Sequence, residues 1–315
     1  MSLSYAGIPY GRYLDAAPGR WSIDSLRVKF TYPYKTYCFE THEADLTLNR
    51  LLSLLDSVSF SMQFNLDIQI LHKSFFSIGS YAYTARVSGV DFVNRPYSFA
   101  VLFGRYCFDN AVKNVAPEVV LDINPNKVPY EVLSLFVRLL RGSSQSISLQ
   151  RFDLALDLPL PRDEVFLQRD ARRGYRLFDE AGGRTEYQGK RDSHGALKLY
   201  DKTKESSLAV PVTRCEVTVV PGTSPSVADV FPVMHSLGAL QLDLGFSDLP
   251  FQVQSCILHP DLLPVLKTSC TLNTWKKYQS MIESISSRTL APDDWGAIDQ
   301  FVNSTLMLYL SGVSS

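Results

Sequence analysis

The sequence predicts an α+β protein in which an antiparallel sheet is followed by a helical C-terminal portion. Before residue 221, apolar and polar residues alternate over many short segments, a pattern typical of half-buried strands. Pro221 and Gly222 interrupt this pattern, and apolar residues recur at helical spacing after them. We therefore expect an N-terminal arm over 1–20, a sheet domain over 21–222 and a helical region over 223–315.

The first predicted strand covers residues 23–30, where Leu26, Val28 and Phe30 alternate with Arg27 and Lys29. Leucines at helical spacing then predict a short amphipathic helix over 44–55. Strict alternation returns over 60–70, which predicts a strand with one buried and one polar face. Three more segments have strand character, at 80–87, 97–103 and 118–123.

A helix is predicted over 129–141, with Pro129 near its start and Gly142 after its end. Strands are then predicted over 148–156, 184–188, 196–201 and 212–219. Between the first two of these lies a segment containing Pro, Arg and Gly, residues 159–183, which we expect to be irregular. The helices predicted for the C-terminal portion cover 228–237, 262–269, 274–287 and 295–310.

Composition excludes several classes of protein. A chain of 315 residues with 45% hydrophobic content can form one large domain, or a main domain and a smaller one. The 31 basic and 32 acidic residues nearly cancel, so a phosphate-binding surface would have to arise from local clustering. Five widely spaced cysteines without a Cys-x-x-Cys pair support neither a disulfide framework nor a zinc ribbon. We expect a soluble, cytoplasmic protein with no membrane partner, because no signal-peptide segment or long apolar run occurs.

The segment R-F-D-L-A-L-D at 151–157 carries two candidate metal ligands, Asp153 and Asp157. Both point to one face of a strand, but about 13 Å separates them, so they cannot both hold one ion directly. One of them together with Glu216 from a neighbouring strand would suit Mg²⁺ or Mn²⁺, which bind one or two carboxylates and keep several waters. Alternatively, these are ordinary polar strand residues, and Arg214 with Glu216 forms a solvated pair.

Two tyrosines are candidate nucleophiles. Tyr200 lies between Lys198 and Lys202 on one face of a regular strand, and neighbouring cations favour the phenolate over the phenol, whose ordinary pKa is near 10. Tyr187 precedes a turn with glycines and cations, which suits a loop near phosphate. Alternatively, Tyr200 is an ordinary strand residue, since the chain has sixteen tyrosines, and the turn after Tyr187 is the charged tip of a hairpin. A histidine-bound metal is not supported, because no His-x-His pair occurs.

Taken in order, these motifs resemble the Rep_trans family of rolling-circle replication initiators, which is related to conjugative relaxases. The resemblance covers residues 20–220, and it rests on T-E-Y-Q-G-K-R-D-S at 185–193, L-K-L-Y-D-K-T-K-E at 197–205 and T-R-C-E-V-T-V at 213–219. It implies a divergent version of the His-hydrophobic-His (HUH) endonuclease fold, so that 21–222 would be the catalytic replication-initiator domain. The C-terminal portion has no such resemblance, and Asn124-Pro125-Asn126 replaces the Gly-x-Gly that the family often has before its helix.

The resemblance also implies an activity and roles for residues. Such a protein nicks one DNA strand at an origin through a tyrosine, leaving a 5′-phosphotyrosine and a free 3′-OH for rolling-circle replication. Tyr200 would be the nucleophile with Tyr187 in reserve, and Lys202 and Lys198 would contact phosphate. The remaining roles would be metal binding by Asp153 or Asp157 with Glu216, and DNA binding by Lys190, Arg191, Lys198 and Arg214.

The implied partners are origin DNA, presented as a single-stranded or cruciform nick site, and, from the family alone, a helicase and a second copy of the chain. The implied cofactor is Mg²⁺ or Mn²⁺, and the implied setting is a bacterial plasmid or phage. Two alternatives stay open: a conjugative relaxase with the same chemistry, and a DNA-binding regulator that keeps the fold without the chemistry.

Overall fold

The computed structural model describes residues 8–32, 67–72, 81–109, 112–142, 144–167, 172–180, 183–221, 237–239, 249–258, 262–284, 288–290, 292 and 294–311. Within these residues the chain forms a mixed α/β structure with a large antiparallel sheet and several helices. This agrees with the predicted combination of an antiparallel sheet and a helical C-terminal portion.

The large sheet contains eleven of the described strands. Its central members are β2 (Gly19–Thr31) and β7 (Ser146–Leu158), which pair along most of their length. On one side of β2 lie β6 (Val112–Ile123), β5 (Pro96–Asp109), β4 (Tyr81–Val90) and β3 (Asp67–His72), and β1 (Tyr13–Ala16) also pairs with β2. On the other side of β7 lie β12 (Thr213–Val219), β11 (Leu197–Asp201), β10 (Gly183–Gln188) and β9 (Tyr175–Glu180).

Alternation of side chains gives this sheet an apolar face and a polar face. On β7, Phe152, Leu154 and Leu156 are buried in the hydrophobic core, so Asp153 points to the opposite face. Helix α1 (Tyr130–Gly142) covers the apolar face, and its buried residues in the core are Val132, Leu133, Phe136, Val137 and Leu140. The polar face is therefore the one that carries the predicted site residues.

The C-terminal helix α6 (Trp295–Ser311) packs on the same core. Ile298 and Val302 are buried there, and the Trp295 ring meets the Trp21 ring edge-on at a centroid distance of 6.0 Å. Helix α6 therefore contributes to the core of the sheet, and the division at residue 222 stays a prediction. Similarly, β1 lies inside the predicted N-terminal arm and is part of the sheet.

Two smaller groups complete the described fold. Helices α3 (Phe251–Leu258), α4 (Leu263–Ser269) and α5 (Leu272–Ser284) are short, and Val253 and Ile257 of α3 pack against the α5 residues Tyr278, Met281 and Ile282. A separate sheet joins β8 (Val165–Leu167), β13 (Leu237–Ala239) and β14 (Arg288–Thr289). None of the helices in the described part of the chain has the length and apolar character needed to cross a membrane.

Some predicted elements differ from the structure. The expected irregular segment 159–183 contains a 3₁₀ turn (Arg162–Glu164), β8 and β9, because prolines and glycines mask short strands in a sequence pattern. Helix α3 had no prediction, and residue 237, the predicted end of a helix, begins β13. The predicted helix over 44–55, the strand positions 60–66 and the helix positions 228–236 lie outside the described residues.

Candidate active site

Strand register aligns five side-chain positions in one row on the polar face of the sheet. Each is the direct partner of the next on the neighbouring strand: Ala155 of β7, Glu216 of β12, Lys198 of β11, Tyr187 of β10 and Arg176 of β9. Neighbouring strands lie about 4.8 Å apart, so these side chains stand side by side. We call this the Tyr187 row. It places a carboxylate, an ammonium, a phenol and a guanidinium in sequence.

A second row of cross-strand partners lies beside the first, two residues away along each strand. Its members are Asp157, Arg214, Tyr200, Thr185 and Phe178. We call it the Tyr200 row. Asp157 and Arg214 are almost completely buried, Tyr200 is 6% exposed, and Phe178 at the opposite end is 46% exposed. The row thus runs from the interior to the surface.

A cleft of about 630 Å³ opens over the Tyr187 row. Its polar lining includes Arg151, Asp153, Arg176, Tyr187, Arg191, Asp192, Lys198, Glu216 and Thr218. Tyr200 does not line it. Of the two candidate tyrosines, Tyr187 is the one on the wall of the cleft.

Tyr200 is committed to an internal hydrogen bond. Its hydroxyl donates to Oε1 of Glu216 at 2.6 Å, and the Lys198 ammonium lies 3.9 Å from the centre of its ring. Burial, followed by the negative charge of Glu216, raises the pKa of the phenol far above its ordinary value. The phenolate that a nucleophile requires is therefore disfavoured in this arrangement, and the nucleophilic role of Tyr200 stays a prediction.

Tyr187 has a different environment. It stands between Lys198 and Arg176 in the Tyr187 row, and its ring meets the Phe178 ring edge-on at a centroid distance of 5.6 Å. Tyr187 is therefore the candidate tyrosine that is accessible from the cleft.

Glu216 is the central acid of the site. Its Oε2 accepts a hydrogen bond from Lys198 at 3.4 Å, in addition to the bond from Tyr200. Burial, followed by the charge of Asp24, raises the pKa of Glu216 to about 7. The carboxyl therefore changes its protonation state near neutral pH.

Asp153 is the aspartate that shares the cleft with Glu216. It accepts a 2.8 Å hydrogen bond from Thr218, and burial raises its pKa. Because Thr218 is its direct cross-strand partner and Glu216 lies two residues away, the two carboxylates are diagonal neighbours. Two hard oxygen donors on one cleft wall fit Mg²⁺ or Mn²⁺, although no group of three His, Cys, Asp or Glu side chains suited to a metal occurs among the described residues.

Asp157, the other aspartate predicted as a metal ligand, is paired with Arg214. Both of its oxygens accept hydrogen bonds from Arg214, at 2.5 and 2.7 Å, and both residues are buried. The guanidinium of Arg214 also donates to Asp24 at 2.7 Å, and its predicted DNA-binding role stays a prediction. This buried pair is a structural support for the polar face.

Asp24 was missed by the sequence analysis. It lies at a bulge of β2, between the register positions Ile23 and Ser25, and this turns its carboxylate toward Arg214. Burial disfavours its charge, but Arg214 and further cations outweigh burial and lower its pKa. The available signal was the break in the apolar alternation of the first predicted strand at Asp24 and Ser25.

Lys202 also differs from its predicted role. The strand stops at Asp201, whose side chain caps helix α2 (Lys202–Ser206) by accepting from the Lys204 backbone at 3.1 Å. Lys202 is 1% exposed and pairs with Glu205, so it does not face the cleft. Of the predicted DNA-binding residues, Arg191 and Lys198 line the cleft, and Lys190 is exposed in the turn after β10.

Comparisons with known proteins leave the family open. No protein-family model matches the chain, and no curated protein matches it. Among solved structures, the chain is similar to a rolling circle replication initiator protein from Geobacillus stearothermophilus, at 15% identity and a TM-score of 0.34. The similarity covers 64% of this chain and 74% of that chain. At this level the likeness carries no argument, so the function has to be argued from the site.

Proposed function

We propose that this chain is a replication initiator that nicks one DNA strand through Tyr187. The observation that supports this best is the position of Tyr187, between Lys198 and Arg176 in a cleft that also contains Glu216 and Asp153. A phenol, two flanking cations and two carboxylates are the groups that transfer of a phosphodiester to tyrosine requires. The origin-specific role rests on the ordered motifs at 185–193, 197–205 and 213–219.

The proposed reaction conserves the phosphodiester. The Tyr187 oxygen bonds to phosphorus as the bond from phosphorus to the 3′ oxygen breaks, and the phenol proton is released to solvent. The freed 3′ oxygen takes up a proton and becomes a 3′-OH, while the 5′ phosphate stays on tyrosine. The reaction consumes no water and no nucleotide, so the 3′-OH is available as a primer.

Lys198 and Arg176 have an electrostatic role in this proposal. They are the cross-strand partners of Tyr187 on the two neighbouring strands, so they would stabilise the negative charge that the phosphate oxygens gain. Glu216 holds Lys198 in place through its Oε2, and Tyr200 holds Glu216 through its Oε1. Tyr200 is thus a positioning residue in this proposal, two contacts away from the reacting oxygen.

Asp153 and Glu216 are the residues that would hold Mg²⁺ or Mn²⁺. A divalent ion at this place would supply Lewis-acid polarisation of the phosphate. Asp157 has no metal role in this proposal, because it is buried with Arg214 and does not line the cleft.

The test is a covalent-adduct assay that needs no knowledge of the target sequence. The full chain is incubated with Mn²⁺ and a random-sequence library of single-stranded DNA labelled at the 3′ end. Since the 5′ phosphate of the 3′ fragment would stay on the protein, label should migrate with the denatured protein. Tyr187→Phe should abolish the labelled band. Absence of the band with wild-type protein that binds the library would contradict the proposal and favour a DNA-binding regulator.

A further inference from the structure

We propose that Phe178 is a stacking platform for an unpaired base next to the phosphate held at Tyr187, and that Arg176 contacts the phosphate of the same nucleotide. This inference rests on the proposed function, because it names how the strand lies in the cleft. It adds two residues, both on β9, to which neither the motifs nor the comparisons assign a role.

The placement of Phe178 is unusual for a large apolar side chain. It is 46% exposed, lies on the polar face of the sheet and lines the cleft. Its ring is nearly perpendicular to the Tyr187 ring, at 89°, so the two rings meet edge to face and do not stack on one another. Single exposed apolar residues are common on protein surfaces, but Phe178 contacts the ring of Tyr187, the proposed nucleophile.

The spacing on β9 suits a nucleotide. Arg176 and Phe178 lie two residues apart on one face, which corresponds to about 7 Å along the strand. This distance is close to the reach from the base of an extended nucleotide to its phosphate. Arg176 is exposed and stands directly opposite Tyr187, so a phosphate contacting its guanidinium would lie beside the phenol.

The chemistry of the surroundings selects single-stranded nucleic acid as the occupant. The cleft presents an aromatic ring together with Arg151, Arg176, Arg191 and Lys198. Arg151 and Lys198 pair with Asp192 and Glu216. An apolar peptide would offer no partner to Arg176, whereas a nucleic acid strand offers a phosphate and a flat π surface in each repeat. Stacking accepts every base, so Phe178 should contribute to affinity and not to choice of sequence.

The experiment measures binding in a protein that cannot react. All variants carry Tyr187→Phe and are studied in EDTA with an unlabelled oligothymidylate that contains one 2-aminopurine. In this background Phe178→Ala should weaken binding by about 5- to 100-fold and remove the quenching of 2-aminopurine fluorescence. Phe178→Tyr should retain both, which distinguishes stacking from a loss of fold.

The salt dependence of DNA affinity distinguishes the role of Arg176 from that of Phe178. Arg176→Gln should lower the slope of log affinity against log salt by about 0.7, the value for one phosphate contact on a single strand. Phe178→Ala should leave this slope unchanged. Phe92→Ala is the matched control, since Phe92 is 92% exposed in the turn between β4 and β5, and it should change neither quantity.

Two outcomes would overturn the inference. One is a Phe178→Ala variant that binds within twofold of its parent with quenching retained, and the other is an equal loss of affinity in Phe92→Ala. Failure of the proposed function has a different signature, namely no covalent adduct with wild-type protein while Phe178→Ala still weakens binding. The two claims can therefore fail separately.

Discussion

The Tyr200 hydroxyl donates a 2.6 Å hydrogen bond to Oε1 of Glu216, directly behind the row of side chains that lines the cleft. This bond fixes the carboxylate so that its other oxygen meets Lys198, which in turn faces Tyr187. The two tyrosines of the motifs therefore have separate tasks in our account: one attacks, and the other orients the acid.

Tyr200→Phe tests this division. The variant leaves Oε1 of Glu216 without its phenol donor, so we expect a loss of about 1–3 kcal/mol in the free energy of unfolding, measured with urea. Covalent adduct should still form, at a reduced rate. Complete loss of the adduct in a folded variant that binds DNA normally would return the role of nucleophile to Tyr200.

Asp157→Asn and Asp153→Asn form a matched pair on one strand. Asp157→Asn breaks a buried ion pair and leaves the Arg214 charge insufficiently compensated, so it should cost on the order of 3 kcal/mol in stability. Asp153→Asn should change stability by less than about 1 kcal/mol, because the amide keeps an acceptor for Thr218, but it should reduce Mn²⁺-dependent adduct formation. The opposite pattern would reassign the metal ligand to Asp157.

The raised pKa of Glu216 predicts a pH dependence of stability. Between the ordinary pKa of 4.5 and the folded value of about 7, the folded protein binds more protons than the unfolded chain. Stability in EDTA should therefore fall as pH rises through this window and level off above it. At 1.36 kcal/mol per pKa unit, the whole difference is roughly 3 kcal/mol.

Urea titrations of wild-type protein and Glu216→Gln at several pH values between 4.5 and 8 measure this effect. The stability difference between the two proteins should change with pH in that window, and Mn²⁺ should stabilise wild-type protein more above pH 7 than below it. A difference that is the same at every pH would mean that Glu216 does not titrate there.

The packing of α6 predicts that the C-terminal portion unfolds together with the sheet. Ile298→Ala removes a side chain with no exposed surface and should cost about 2–4 kcal/mol. Met307→Ala on the same helix is the control, because Met307 is 70% exposed, and it should stay within about 0.5 kcal/mol of wild type. Two separate unfolding transitions in a urea titration followed by circular dichroism would contradict this.

Periodicity was sufficient to predict four of the five strands of the site and the faces of their residues, but not β9, which lies in the segment expected to be irregular. Strands β7, β10, β11 and β12 match predicted segments, because alternation of apolar and polar residues reflects burial of one face. Periodicity could not predict how deeply each residue on the polar face is buried. Tyr187 and Tyr200 share the polar face, but Tyr200 lies beside the buried Arg214, and Tyr187 lies nearer the edge at β9.

Other differences come from local backbone events that periodicity does not encode. The bulge at Asp24 brings a carboxylate to Arg214 from a position where a regular strand would not be expected to present it. Asp201 ends β11 by capping α2, so Lys202 begins a helix and pairs with Glu205. An Asp before a short polar segment is a known helix-start signal, and it could have indicated this change.

The most direct measurement of the central claim is the mass of the modified peptide. After adduct formation and nuclease trimming, trypsin should release residues 185–190, which contain Tyr187 as their single tyrosine, and residues 199–202, which contain Tyr200. Our account predicts a nucleotide attached to the peptide 185–190 and an unmodified peptide 199–202. A nucleotide on 199–202 and none on 185–190 would contradict it.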